Sequence, residues 1–395
     1  MLQTPIYMDN HATTRVDPRV VDAMLPFFTR VYGNAGSTSH SFGWEAKSAL
    51  DDARGRIAAA IGAGEREIVF TSGATESNNL AIRGVAERVR RRGNHIVSVI
   101  TEHKAVLDPL KKLARKGFEV SLLPVEQVGS PTAGRLNLDT LQTALRDDTC
   151  LVSVMLANNE IGVLQPIAAI GSICRERGIP LHCDATQAVG KIPVNVDSLN
   201  IDLMSFTAHK LYGPKGIGAL YVRRGTRLEA QIDGGGQEHG LRSGTLPVAS
   251  IIGFAAALDL CLAEMPTEAT RLYELRERLY SQLRQALPDL VLNGPVWSAD
   301  ENLRLPGNLN GAFPFVQGEA LMMSMRDVAV SSGSACTSAN PEPSHVLRAI
   351  GQTEDLTLAS LRFGLGRFNT TAEVDFAAQL VIDNVRRLRA LSSMA

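Results

Sequence analysis

The sequence predicts an α/β protein: a large domain with a mostly parallel central sheet, joined to a smaller α/β domain. Three observations carry this. Short β-like runs alternate with longer helical patterns as far as Phe206. Polar motifs rich in Gly, Ser, Thr and Asp follow directly after several of those runs. The chain has 395 residues, enough for two cores.

Asp17-Pro18 opens a helix, with Asp as N-cap and Pro at the first helical position, and the pattern runs to about Tyr32. From Trp44 to Ile61 apolar residues recur with helical spacing. A short strand, Glu67 to Phe70, leads through Thr71-Ser72-Gly73-Ala74-Thr75-Glu76 into a helix ending near Arg92. His95 to Ile100 is a strand and Ala105 to Lys116 a helix. Further β-like runs cover Phe118 to Leu123, Cys150 to Met155, Pro180 to Cys183 and Asp202 to Phe206, with a helix from Pro166 to Arg177. Glu126 to Arg135 reads as an irregular loop. A Gly-rich charged loop spans Gly234 to Thr245. Pro247 to Leu287 reads as helical segments broken near Pro266. Helices near Glu319 to Arg326, Ser344 to Ile350 and Thr371 to Leu391 complete the smaller domain. The expected division is residues 15–260 as the large domain, and 1–14 with 261–395 as the small one.

Hydrophobic residues make up 45% of the chain and charged residues 21%, with a formal net charge of −1. No global field draws such a protein to nucleic acid or anionic membrane, and the basic run Arg88 to Arg92 reads as the solvated end of a helix. No basic segment followed by an apolar run opens the sequence. Val248 to Ala263, interrupted by Ser250 and Asp259, is too short and polar to span a bilayer comfortably. Five scattered cysteines form no CxxC pair, which points to a reducing cytoplasm and no disulfide framework. No HExxH or zinc-spaced Cys/His cluster is present, so no metal site is expected.

In an open α/β sheet ligands sit beyond the carboxyl ends of the strands. The turn Thr71 to Glu76, between a strand and a helix, is suited to a phosphate, because free N–H groups and the helix dipole favour an anion there. It reads equally as an ordinary capped helix. Asp184 closes an apolar strand in His182-Cys183-Asp184-Ala185-Thr186-Gln187, where it can pair with a buried cation or simply cap a helix. Lys210 ends Asp202-Leu203-Met204-Ser205-Phe206-Thr207-Ala208-His209-Lys210, a position where burial can make an amine nucleophilic. Lys215, in a Gly-Pro-Lys-Gly turn, is its solvated rival. His103 follows another strand and can shuttle protons or cap a helix. Asn158-Asn159-Glu160-Ile161-Gly162 can orient ligand oxygens or form a turn. Cys336 lies in Ser331-Ser332-Gly333-Ser334-Ala335-Cys336-Thr337-Ser338, which reads as a mobile loop bearing a thiol. Together a phosphate turn, a carboxylate and a lysine match what pyridoxal phosphate needs.

The chain resembles the cysteine desulfurases, in the iron–sulfur-assembly branch with the longer cysteine loop. The matching segments are Tyr7 to Thr14, Thr71 to Glu76, Thr101 to Lys104, Asn158 to Gly162, Asp184 to Gln187, Ser205 to Lys210 with Tyr212 to Gly216, Arg242 to Thr245, Ser331 to Ser338 and Leu361-Arg362-Phe363. They run in the family's order through nearly the whole chain. The resemblance implies the fold type I architecture of pyridoxal-phosphate enzymes of the class V aminotransferase group. It implies that Lys210 holds pyridoxal 5'-phosphate covalently, Asp184 pairs with the ring nitrogen and Gln187 bonds the ring hydroxyl. His103 would stack on the ring and move protons. Thr75, Thr207 and His209 would bind the phosphate and Ala74 would contact the cofactor, with Thr245 reaching in from the second subunit of a homodimer. Asn159 would contact cofactor and substrate, and Arg362 the substrate carboxylate, which its guanidinium fork matches. Cys336 would take sulfur from L-cysteine as a persulfide, leaving L-alanine. It would pass the sulfur to an iron–sulfur scaffold or another acceptor, tRNA thiolation included, with transient contact to a partner's cluster. No membrane or stable nucleic-acid partner is implied.

The sequence departs from the family in places. Asn34-Ala35-Gly36 stands where Asn-Pro is usual. Thr207-Ala208 replaces Ser-Gly and keeps the hydroxyl. The chain ends soon after Leu391, where some members carry a longer tail that docks scaffold partners. A lyase or aminotransferase on another amino acid would not need the Cys336 thiol. A cofactor-free carrier would not need the Lys210, Asp184 and His103 set.

Overall fold

The computed structural model describes residues 2–89, 93–295, 303–332 and 343–392. Its centre is a seven-stranded sheet in the order Ile68–Thr71, Gly218–Val222, Leu203–Thr207, Leu181–Asp184, Thr149–Ser153, His95–Val99, Glu119–Leu123. Gly218–Val222 runs antiparallel to both of its neighbours. The remaining pairs are parallel. One antiparallel strand between parallel ones leaves six strands pointing the same way, so their carboxyl ends share one edge. The central strands are buried along their whole length, as expected when helices cover both faces. One face packs a cluster that includes Leu80, Val85, Val106 and Leu110, and the other a larger cluster that includes Ile57, Phe206, Ile251 and Phe254.

A second core gathers Ile6, Met8, Leu275, Leu279, Phe313, Phe363, Val381 and Val385. It lies under a three-stranded antiparallel sheet, Ser360–Gly364, Asn308–Ala312, Val291–Leu292, and the helix Thr371–Ser392. The helix Val248–Ala286 joins the two cores. Its first half buries Ile251, Phe254 and Leu258 in the larger cluster, with Phe254 against Phe206 at a ring separation of 5.5 Å. Its second half buries Leu272 to Leu283 in the second. Each such side chain contributes roughly 1.5–3 kcal/mol. The helix is long and apolar enough to cross a membrane by length and composition, and these contacts place its apolar residues inside the protein.

Two expectations about proline are corrected. The helix runs unbroken through Pro266. Proline removes one helical hydrogen bond, and here the neighbouring turn, Leu262, Ala263, Pro266 and Thr267, is exposed, so water can serve the freed carbonyl. The segment from Pro18 does break, into Pro18–Met24 and Pro26–Thr29, because Pro26 starts a new turn.

Candidate active site

A cavity of about 1130 Å³ opens at the shared carboxyl edge of the sheet. Ser72 to Thr75, His103, Asn159, Asp184, Thr186, Gln187, Thr207, His209 and Lys210 all reach its wall from the strand ends and the loops that follow them, and Arg362 joins them from the smaller sheet. Topology gathers residues that are far apart in sequence.

The phosphate end is built by close backbone approach. Gly73 has φ +152°, and a Cβ on Gly218 would lie 2.7 Å from the Gly73 Cα. Two glycines therefore let the turn fold over the neighbouring strand and aim the N-terminus of helix Ala74–Val89 into the cavity. Glu76 accepts from the Ser72 N–H at 2.8 Å and from Arg242 Nε at 2.8 Å, which neutralises a carboxylate that would repel an anion. The Thr207 hydroxyl donates to the Ile217 carbonyl at 2.9 Å, so its proton is engaged within the protein. His209 Nδ1 lies 3.1 Å from Thr13 Oγ1. Burial, with Lys210, Lys215 and Lys191 nearby, pushes its imidazole down to about 4, so it meets a ligand as a neutral ring.

At the centre, Lys210 Nζ donates to the carbonyls of His11 and Ala12, both at 2.6 Å. Asp184 is clamped: its Oδ2 accepts from Asn78 at 2.7 Å and its Oδ1 from the Thr186 N–H at 3.0 Å. The Thr186 hydroxyl, buried beside it, has no partner among the described residues. A second buried carboxyl, Glu102, accepts from the Met155 N–H at 2.6 Å, and burial followed by Asp184 holds its pKa well above the carboxylate range. Burial thus biases Glu102 toward its protonated form, and of the two carboxyl groups Asp184 is the one that lines the cavity.

His103 takes the capping role and also faces the cavity. It caps the helix Lys104–Arg115 by accepting from the Ala105 N–H at 3.0 Å, and it lines the cavity. That bond puts the lone pair on Nδ1 and the neutral ring's proton on Nε2. Burial lowers its pKa. Arg362, nearly buried, donates to Asp9 Oδ1 at 2.7 Å and to the Asn159 carbonyl at 2.9 Å, while its Nε has no partner among the described residues. An incompletely engaged guanidinium at a cavity wall suits a carboxylate.

Thr245 is exposed and does not line this chain's own cavity, and Cys336 lies outside the described residues. The residues on either side of that segment are fixed. Ser331 exchanges backbone hydrogen bonds with Arg362 at 2.7 and 3.3 Å. Ser344 donates a short hydrogen bond to the Glu160 carboxylate. Asn78, Glu102, Glu160 and Lys191 were not picked out from sequence. Lys191 stands four residues after Gln187 and Asn78 four after Ala74, and this helical spacing was the available signal.

Burial pushes the Glu160 carboxyl up to about 7, against the opposing pull of Ser344, Arg362 and Lys104. The native protein therefore holds a proton that the unfolded chain releases near 4.5. This contribution is complete below the unfolded value and is lost as pH rises through about 7. The loss is about 3 kcal/mol. Urea unfolding of Glu160→Gln is expected to show a flatter decline in stability from pH 5 to pH 8 than the parent; equal slopes would remove Glu160 as the source.

Residues 6–376 match the model of the aminotransferase class-V family. A protein named cysteine desulfurase IscS from Anaeromyxobacter dehalogenans (strain 2CP-C) is 56% identical over 395 residues, covering all of this chain and 95% of that one. A solved structure of a NifS-like protein superposes with a TM-score of 0.88 at 37% identity, covering 97% of this chain and all of the other. Another, described as SspA in complex with cysteine, gives a TM-score of 0.80 at 34% identity, covering 92% and 100%.

Proposed function

The chain belongs to the class-V aminotransferase family and, within it, to the cysteine desulfurases, and on that premise we propose that it moves sulfur from L-cysteine onto Cys336 and then to an acceptor for iron–sulfur cluster assembly. The family depends on pyridoxal phosphate, which draws electrons from substrate carbon into its ring. The residues present suit that group. The two-glycine turn and helix N-terminus fit its phosphate, clamped Asp184 its ring nitrogen, Gln187 its ring oxygen, and Lys210 its aldehyde. The observation that carries the reading is the convergence of Lys210, Asp184, His103 and Arg362 on one cavity.

In this reading Arg362 and Asn159 hold the substrate carboxylate. The His103 ring, neutral with its Nδ1 lone pair held by the Ala105 N–H, hands on protons through Nε2. The Cys336 sulfur attacks the substrate sulfur, so an S–S bond forms as the C–S bond breaks. The released electron pair stays on carbon, which takes up a proton to become L-alanine. The test is incubation with L-cysteine, with alanine quantified and the persulfide mapped by mass spectrometry in the presence of candidate scaffold proteins. Alanine without a persulfide at Cys336 would overturn the route.

The reading includes a large domain of residues 15–260 and a small domain of 1–14 and 261–395, with Ile6, Met8 and the helix residues beyond Leu272 in the second core as support. It also includes a cytoplasmic homodimer. Leu25, Phe28, Tyr32, Phe42 and Trp44 are exposed, with Tyr32 at 62% and Trp44 at 58% and the Tyr32 and Phe42 rings 5.5 Å apart, which supports a subunit contact near this end of the chain. In this reading Thr245, which does not line its own chain's cavity, serves the partner's. Light scattering is expected to give twice the chain mass, and Trp44→Glu to shift it toward the monomer.

A further inference from the structure

Beside the cavity a compact polar cluster is left without a role: His11 and Lys191 around the Gln187 side chain. Lys191 Nζ donates to Gln187 Oε1 at 2.7 Å. His11 Nδ1 is 3.1 Å from the same oxygen. Gln187 Nε2 donates to the His11 carbonyl at 2.8 Å. A carbonyl offers only lone pairs, so the His11 carbonyl decides which end of the Gln187 amide is nitrogen, and the oxygen faces the Lys191 donor. The same logic puts the proton of neutral His11 on Nδ1, leaving Nε2 as a buried lone pair with no partner among the described residues. One Nε2 hydrogen of Gln187 is engaged by His11, and the other is left for the cavity that Gln187 lines. The network also reaches the reacting lysine, because the His11 carbonyl that accepts from Gln187 accepts from Lys210 as well.

We propose that Lys191 is a positioning residue for the cofactor: it locks the Gln187 amide so that the second N–H serves the ring oxygen, and it places a cation beside Lys210. The proposal rests on the reading of Gln187 given above. Lys191 is partly buried, in a setting that burdens its charge. Burial pushes it down to about 7, with Lys210 and Arg362 repelling and Cys261 and Glu268 attracting. His11 and His209 face the same charge, and both are pushed toward the neutral form. A negative ring oxygen on Gln187 favours the charged amine. A cation near the cofactor-linked Lys210 nitrogen disfavours protonation of that nitrogen.

The test uses the cofactor-loaded protein and two replacements, Lys191→Met, which keeps shape without charge or donor, and Lys191→Gln, which keeps a donor. Two quantities are read: the midpoint of the visible absorbance change with pH, and the affinity of cofactor-free protein for pyridoxal phosphate. The Lys191→Met midpoint is expected to rise by about half to one pH unit, and its affinity to fall about tenfold. Lys191→Gln should show the same midpoint shift with affinity within about threefold of the parent. Thermal unfolding of each variant establishes that it folds, and the glutamine variant stands alone if the methionine variant does not. An unshifted midpoint in both, with Gln187→Ala shifting it, would overturn the role of Lys191 and leave that of Gln187 intact. If Gln187→Ala changes neither quantity, the reading of Gln187 fails and the proposal fails with it.

Discussion

Replacing Lys210 with alanine is expected to abolish the covalent cofactor absorbance and to slow alanine production by at least about a thousandfold. The size of the effect follows from what the amine alone can do. Its Nζ is held by two carbonyls at the cavity wall, directly beyond a buried strand. Lys104, Lys111 and Lys215 also line the cavity, but they are other candidates only by proximity. Lys215 is exposed and follows the strand end by a further turn. Asp184 and the phosphate turn remain in Lys210→Ala, so the variant should still bind pyridoxal phosphate without the link. Borohydride reduction of the loaded parent followed by peptide mapping should find the label on Lys210. A visible spectrum unchanged by the substitution would sink the assignment and move attention to Lys215.

The parallel strands were legible because they are buried on both faces and so appear as continuous apolar runs bounded by polar motifs. His95–Val99, Thr149–Ser153 and Leu203–Thr207 are of this kind. Strand Asn308–Ala312 was not, since it alternates asparagine with small and apolar residues. Asn308 and Asn310 belong inside because their side chains are paired there: both donate to the Glu160 carbonyl, at 3.2 and 3.1 Å, and their oxygens accept from Arg304 and Asn293. Glu160 lies far away in sequence. The site divides in the same way. Asp184, Lys210 and His103 could be read from their places after strands. Asn78, Glu160 and Lys191 act on other side chains, and their significance depends on which loops the sheet order brings together. Pro266 misled for a related reason: the cost of a proline depends on whether water reaches the freed carbonyl, which the sequence does not state.

Cys336→Ser is expected to retain the cofactor and bind L-cysteine, yet to form no persulfide and to lose about a thousandfold or more in sulfur transfer, because a serine hydroxyl is a far weaker nucleophile than a thiolate. The other cysteines are poor substitutes. Cys150, Cys174, Cys183 and Cys261 are all buried. Burial raises Cys150 to about 11 and Cys174 and Cys261 to about 12, and holds Cys183 well above the ordinary thiol value. None of the four lines the cavity. Cys336, by contrast, follows Ser331 by five positions, and Ser331 is paired with Arg362 at the cavity wall. Five extended residues span at most about 17 Å, an upper limit on the Ser331–Cys336 separation that is compatible with the proposed attack on a substrate held by Arg362. Persulfide recovered on another cysteine of Cys336→Ser, with alanine still produced at the parent rate, would defeat this account. The same experiment has a second arm: in the parent protein, alkylation of Cys336 is expected to stop alanine production to the same extent as the serine replacement, since both remove the Cys336 thiol.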